Sequence, residues 1–584
     1  MNEFWNLDPI YTGFDDSSFL ADMEALKSKV AEITAFAAEL TNFTALEGLT
    51  KGIALQEQFT DLVGKLAGYA SLRQAANTRD SEPGSRMGQI MQLYSGVASP
   101  LAAWKDWASK LPDLQEIVVK DENLRDYSFF FKNLADSSQY LLPGMGEEIM
   151  AKMGLSGGDA WSELQQYLTS TVPVSYNGGT TNLSSIRNLA YDADPAVRKA
   201  AYEAELACYD RIKDPVAYAL NSIKLETISD CQLRGYASPL ERTLKHSDMK
   251  QETLDAMLGA MDEYLPKFWQ YLKAKGKVLG HEKGLPWYDM FAPMGDASTK
   301  FTAEESREYL VKLFSEFDAE LADMVARAYD NAWIDFYPRD GKAGGAFCAG
   351  VECLGESRIL TNFDGMFGDV VTLAHELGHA FHNQCIKDHR PLNRDYSMPL
   401  AETASTFNEC VVMASAIGKA ADKNEKIALI ESQLQDATQI ICDIYSRFRF
   451  EKMVFENRSD MFMNADALCQ FMLEAQKQSY GDGLDHDFLH PYMWVCKSHY
   501  YGPTFYNFPY AFGGLFARGL YAQYEKEGAS FVPKYKKLLY TTPIATAEDV
   551  AKVADIDLTD KAFWRAALQT IADQIDLFCQ LVEE

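Results

Sequence analysis

No stretch of this 584-residue chain approaches the roughly 20 consecutive apolar residues that a membrane-spanning helix needs. Its opening, MNEFWNLDPIYTGFDD, lacks a basic run followed by an apolar one. The expectation is therefore a cytoplasmic protein with no secretory signal and no membrane contact. Positive charge is short: 55 Lys and Arg face 84 Asp and Glu, a formal net charge of −29. That excess argues against a nucleic-acid partner and against an anionic membrane surface. The ten cysteines include no C-x-x-C pair and none before Cys208; the closest two are Cys348 and Cys353. Reduced thiols, rather than a disulfide framework, are expected. No 30–45-residue repeat and no low-complexity tract appears. A phosphate loop around Gly341-Lys342 fails, because Phe336 occupies the first glycine position and Ala343 follows the lysine.

What is abundant is helix. The windows SSFLADMEALKSKVAEITAFAAELTNF, ETLDAMLGAMDEYLPKFWQYLKAKGKVL and EESREYLVKLFSEFDAELADMVARAY repeat apolar residues every three or four positions. Two regions break that pattern. TSTVPVSYNGGTTNLS (169–184) is β-branched and aromatic, and Asn177-Gly178 is a hairpin turn signal. KAGGAFCAGVECLGESRILTNFDG (342–365) is glycine-rich with short β-prone runs, which predicts a small sheet. Length alone suggests more than one lobe. The expected division is a helical lobe over 1–190, with the hairpin near its end, and a second region over 191–584.

The chain has nine histidines, and three fall in LAHELGHAFHNQ. HELGH, His375 to His379, fits H-E-x-x-H. The surrounding apolar residues, Val370, Leu373, Ala374, Leu377 and Phe381, predict an amphipathic helix, with Asp369 as its N-cap. His375 and His379 then lie one turn apart on one face, within reach of one zinc ion. Glu376 is offset by about 100° around the helix. It can reach a water on the ion without being a ligand, as a general base must. A third ligand should come from SMPLAETASTFNECVVM. Pro399 suits a first helical turn. Glu402 lies 23 residues after His379 (402 − 379), and Glu409 is seven further on. Two glutamates on the ion would over-neutralise it, so Glu402 is assigned as the ligand and Glu409 as its support. The longer zincin pattern would place a histidine where Cys385 stands. His382 is read as a supporting or buried structural histidine.

Peptide hydrolysis also needs donors for a developing oxyanion. The richest donor cluster is KSHYYGPTFYNFPYAFGGLF (497–516), which carries His499, Tyr506 and Tyr510; the tyrosines are spaced one helical turn apart.

Taken together, LAHELGHAFH, AETASTFNE, SHYYGPTFYNFPYAFGGLF, YDADPAVRKAAYEA and the opening WNLDPIYTGF resemble the oligoendopeptidase F group of the thimet oligopeptidase family of zinc metallopeptidases. The likeness touches nearly the whole chain. It implies a mainly α, two-lobed ellipsoid with a deep substrate channel and a small β-sheet near the active site. It implies one Zn²⁺ per chain on His375, His379 and Glu402, with Glu376 activating water. His499, Tyr506 and Tyr510 would orient substrate and stabilise the oxyanion. GGAFCAG, through Gly345, Ala346 and Phe347, would pair with a short peptide as an edge strand. The family's third tyrosine, three residues beyond the second, is Gly513 here. The expected activity is endopeptidase cleavage of short unfolded oligopeptides. A carboxypeptidase or dipeptidyl carboxypeptidase on the same fold would need a cation such as Arg358 or Lys497 for the terminal carboxylate. A non-enzymatic, zinc-stabilised peptide-binding scaffold would have no use for Glu376.

Overall fold

The computed structural model describes residues 2–142, 145–295 and 300–583. It is mainly helical, with two small sheets, as expected. Contacts divide the chain into two compact units, each assembled from three stretches. The first comprises Met1–Gln139, Ser298–Ser415 and Gln523–Asp555; the second comprises Tyr140–Ala297, Ala416–Ala522 and Ile556–Glu584. Each contact unit is thus discontinuous along the chain.

In the first unit, helices Ser17–Ala38 and Ala45–Ala76 pack together. Asp16 caps the first by accepting the Ser18 N–H, and Thr44 with Glu47 forms a capping box on the second. Their apolar stripes close over Trp104, Tyr127 and Phe131. The sheet joins this same core through Val351 and Leu360.

That sheet is built from three of the five strands. Strands β1 (Val174–Tyr176) and β2 (Gly179–Thr181) form the predicted hairpin in the second unit. Its turn residues Asn177 and Gly178 have φ of 50° and 74°, the left-handed pair that an Asn-Gly turn provides. The hairpin is tighter than the 169–184 window, because Thr169–Thr171 finish helix Gly158–Thr171. Strands β3 (Ile334–Asp335), β4 (Phe347–Val351) and β5 (Glu356–Leu360) form the sheet of the first unit, in the order β3–β5–β4. β3 runs parallel to the central strand β5, and β4 runs antiparallel with Phe347 opposite Leu360. β4 is therefore an edge strand. At the end of β3, the buried Asp335 carboxylate is held by Lys342 and Arg339.

β5 leads through a short connection into helix Phe367–Ile386, which packs on β4 and β5. Asp369 is not its N-cap, as the sequence had suggested. It is the third helical residue, and its carboxylate turns back to accept the N–H groups of Asp364 and Met366. EESREYLVKLFSEFDAELADMVARAY is two helices, Ala303–Phe317 and Ala319–Asp330, broken where Asp318 goes extended at φ −151°.

In the second unit, helix Gln251–Val278 packs along Lys561–Glu583, and Ile444–Arg458 packs along Ala465–Tyr480. Pro195 opens helix Pro195–Tyr209 behind an Asp194 cap. All ten cysteines are unpaired. Among the described residues, no helix is long and apolar enough to cross a membrane.

Candidate metal centre and a histidine–tyrosine wall

His375 and His379 face the same side of helix Phe367–Ile386, with ring centroids 4.9 Å apart. The chain returns through a short turn of helix, Met398–Ala401, then through Glu402 into helix Thr403–Lys419. Glu402 stands at that junction, where its carbonyl accepts the Thr406 N–H. Gly378 brings the two helices together: a Cβ there would sit 2.5 Å from the Ala404 carbonyl oxygen and from the Ser405 Cα. Asn408 Nδ2 adds a hydrogen bond of 3.1 Å to the Ala374 carbonyl. The glycine inside HELGH is thus a close-packing residue.

Glu402 Oε2 lies 3.3 Å from His375 Nε2 and 3.4 Å from His379 Nε2. His375, His379 and Glu402 are the group of ligating side chains, among the described residues, whose donor atoms all lie within 4.8 Å of one another. Two features prepare this set for a cation. His375 Nδ1 is 2.5 Å from Glu409 Oε1, so the ring donates its Nδ1 proton to Glu409 and turns Nε2 inward as an acceptor. Ser405 Oγ donates to Glu402 Oε2 at 2.6 Å. Two imidazole nitrogens and one carboxylate oxygen are a donor set that suits zinc, and they leave room for a fourth ligand.

Burial alone would lift the Glu402 pKa, but the His379 hydrogen bond and charge, Ser405 and His375 pull it down to about 2. Burial opposes the charged form of His375, yet Glu409 and the nearby carboxylates raise its pKa. Glu376 is 6% exposed, and burial raises its pKa against the pull of the two histidines. On the sheet side its neighbour is Cys348 of β4, whose thiol is pushed up by burial and by the Glu376 charge.

His382 points elsewhere. It is fully buried, its Nε2 is 2.8 Å from Thr542 Oγ1, and its ring stacks on Tyr396 at 4.2 Å. Thr542 already donates to the Leu539 carbonyl, so its oxygen accepts from His382. Burial lowers the His382 pKa to about 3, so the ring is a neutral core residue. At the sheet edge, Phe347 begins β4 and Ala346 precedes it. Gly345 has φ +77°, and its carbonyl accepts from Asn362 Nδ2 at 2.8 Å.

In the second unit, His499, Tyr506 and Tyr510 form a triangle. The His499 ring is 5.8 Å from Tyr506 and 6.0 Å from Tyr510, and the two tyrosine rings are 5.4 Å apart. The reason is not the helical spacing expected from sequence. Helix Phe508–Glu527 starts after Tyr506, which sits in a turn next to Phe505 at φ +53°. All three residues are partly buried. Burial and the nearby Arg447 and Lys497 cations lower the His499 pKa.

Sequence reasoning missed Ser405, Gly378, Asn408 and Cys348. Ser405 and Asn408 had a signal, since they fall three and six residues after Glu402 in the same helix. Gly378 also had one, as a glycine inside an otherwise strong helical pattern.

An H-E-x-x-H helix in a mainly helical chain, with a glutamate just before the following helix beside its two histidines, fits a metallopeptidase. The family model for peptidase family M3 matches residues 188–570, and that for oligopeptidase F matches residues 111–172. The chain belongs to peptidase family M3. It is 23% identical to oligopeptidase PepF of Bacillus subtilis over 98% of this chain and 86% of that one. It is 24% identical to an oligoendopeptidase F homolog of Lactococcus lactis, over 99% of this chain and 97% of that one. The fold is similar to that of oligoendopeptidase-F from Enterococcus faecium, with a TM-score of 0.72 and 17% identity over 97% of this chain and 99% of that one. A Chlamydophila abortus protein gives a TM-score of 0.86 at 20% identity, over 99% of this chain and 98% of that one.

Proposed function

We propose that this protein is a zinc-dependent endopeptidase of the cytoplasm that cuts internal bonds of short, unfolded oligopeptides. The observation that carries this reading is the convergence of His375 Nε2, His379 Nε2 and Glu402 Oε2, beside the buried Glu376. The printed names of the relatives, oligopeptidase and oligoendopeptidase, point the same way.

One zinc ion held by His375, His379 and Glu402 would supply Lewis acidity, bringing the pKa of a water toward about 7. Glu376 takes a proton from the attacking water and delivers it to the leaving amine. Its burial suits that shuttle, because burial raises its pKa and so makes the carboxylate a better proton acceptor than an exposed one. Glu409 keeps the His375 tautomer fixed throughout. His499, Tyr506 and Tyr510 present N–H and O–H donors to the substrate and to the developing oxyanion. The outer edge of β4, with Gly345, Ala346 and Phe347 at its start, offers backbone groups to an extended peptide.

The carboxypeptidase alternative is not favoured. Arg358 is 1% exposed and already donates to the Asn6 and Ser357 carbonyls and to Glu356. Burial lowers the Lys497 pKa, and its charge already faces that of Asp443. Digestion of a library of peptides with amidated C-termini, read by mass spectrometry with and without a chelator, tests the proposal. Internal cuts that stop on chelation and return with zinc are expected. Cleavage that requires a free C-terminal carboxylate, or that ignores the chelator, would overturn it.

A further inference from the structure

The turn that carries Tyr506 is held by one buried carboxylate. Glu451, from helix Ile444–Arg458, is fully buried. Its Oε1 accepts the backbone N–H of Phe505 at 3.2 Å, and its Oε2 accepts from Asn507 Nδ2 at 2.8 Å. The two oxygens of one side chain thus hold the residues on either side of Tyr506. Lys224, from helix Lys213–Arg234, closes the arrangement with a buried ion pair of 2.6 Å to Glu451 Oε1. Thr243 Oγ1 adds a hydrogen bond of 3.0 Å to the Thr504 carbonyl.

Phe505 itself has φ +53°, an unfavourable conformation for a phenylalanine. Such backbone persists only where its surroundings over-determine it. Here they do: the Phe505 ring is packed between Phe448 and Phe455, 5.3 and 5.4 Å away. Asn507 N–H donates to the Phe505 carbonyl at 2.7 Å, which tightens the turn further. A buried ion pair contributes little net stability compared with an apolar pair of the same shape. What a carboxylate provides here, and an apolar side chain cannot, is two directed hydrogen bonds flanking one tyrosine. The same helix face continues with Arg447 and Asp443, spaced four residues apart and paired to each other, and Arg447 lies near His499.

We propose that Glu451, neutralised by Lys224, is a positioning residue for Tyr506. It sets the turn so that the tyrosine hydroxyl meets the substrate beside His499 and Tyr510. This rests on the reading of Tyr506 as an oxyanion donor. Misplacing such a donor by about 1 Å can lower a rate by roughly 100-fold.

The test uses the full-length, zinc-loaded protein and an internally quenched peptide with an amidated C-terminus. Glu451→Ala should lower kcat by about 10- to 100-fold while KM changes by no more than about threefold. Glu451→Gln, which keeps an acceptor for the Phe505 N–H, should recover part of that loss. In a Tyr506→Phe background, Glu451→Ala should have little further effect. Asn507→Ala leaves the Lys224–Glu451 pair intact and should show a smaller loss of the same kind, which keeps the test open if Glu451→Ala does not fold. Hydrogen exchange of the 502–510 segment should quicken in the Glu451 and Asn507 variants while zinc content stays at one per chain. Full activity in Tyr506→Phe would overturn the reading of Tyr506 and this proposal with it. A large loss in Tyr506→Phe, with no loss in Asn507→Ala and Glu451→Gln or with fully additive losses, would overturn the positioning role alone.

Discussion

The candidate metal centre of the first unit and the histidine–tyrosine wall of the second are made in opposite ways. The metal centre is two regular helices brought close by Gly378, so its geometry follows from helical periodicity. The wall is an irregular stretch, with a non-glycine residue at positive φ and a carboxylate bound from another helix. Ligands for a metal need only converge on a point, which four-residue spacing on a helix achieves. Tyr506, by contrast, is placed by a strained turn fixed through buried polar contacts.

That contrast can be broken at the metal centre first. Glu402→Ala removes a ligand and should lose both bound zinc, by elemental analysis, and more than about 1,000-fold in kcat/KM, since metal activation of water is lost. Zinc content that stayed at one per chain would remove Glu402 from the ligand set. Glu409→Ala should act more mildly. It leaves the three ligands in place but frees the His375 ring, and zinc affinity should fall by about 10- to 100-fold in a competition titration with a chelator. An unchanged affinity would leave Glu409 without a role in holding the ring.

The wall sharpens the comparison through pH. Burial together with Arg447 and Lys497 lowers the His499 pKa, so the neutral ring persists to lower pH than an ordinary histidine, which titrates near 6.5. In Arg447→Met one of those cations is gone and Asp443 is left unpaired. Both changes favour the imidazolium, so the His499 ring should titrate at higher pH in an NMR titration. A titration that did not move would mean that Arg447 does not act on His499. The smallest effect should come from Asp369→Ala, which removes the carboxylate serving two backbone N–H groups at the start of the metal helix. A loss of about 0.5–2 kcal/mol in stability is expected from denaturant unfolding, with activity intact once zinc is bound.

Much of the architecture was legible because it rests on local signals. The H-E-x-x-H helix, the Glu402–Glu409 pair, the Asn177-Gly178 turn and the strands around 347–360 each have a periodicity or a turn residue to reveal them. What was not legible depends on partners distant in sequence. Asp369 looked like a cap because it precedes the apolar run, but the helix starts two residues earlier, at Phe367. Tyr506 and Tyr510 share a helical spacing, yet helix Phe508–Glu527 starts only after Tyr506, which follows Phe505 at φ +53°. His382 sits in a run of histidines, but its partner, Thr542, lies 160 residues away. Glu451, 56 residues before Asn507, carries no sequence mark of its role.

The central claim is that His375, His379 and Glu402 hold the ion while Glu376 moves the proton. The most direct test is Glu376→Gln, measured for zinc by elemental analysis and for turnover of an amidated peptide in the same preparation. The account predicts one zinc per chain, unchanged from the wild type, with turnover reduced by about 100- to 10,000-fold. Full turnover with zinc in place would contradict it.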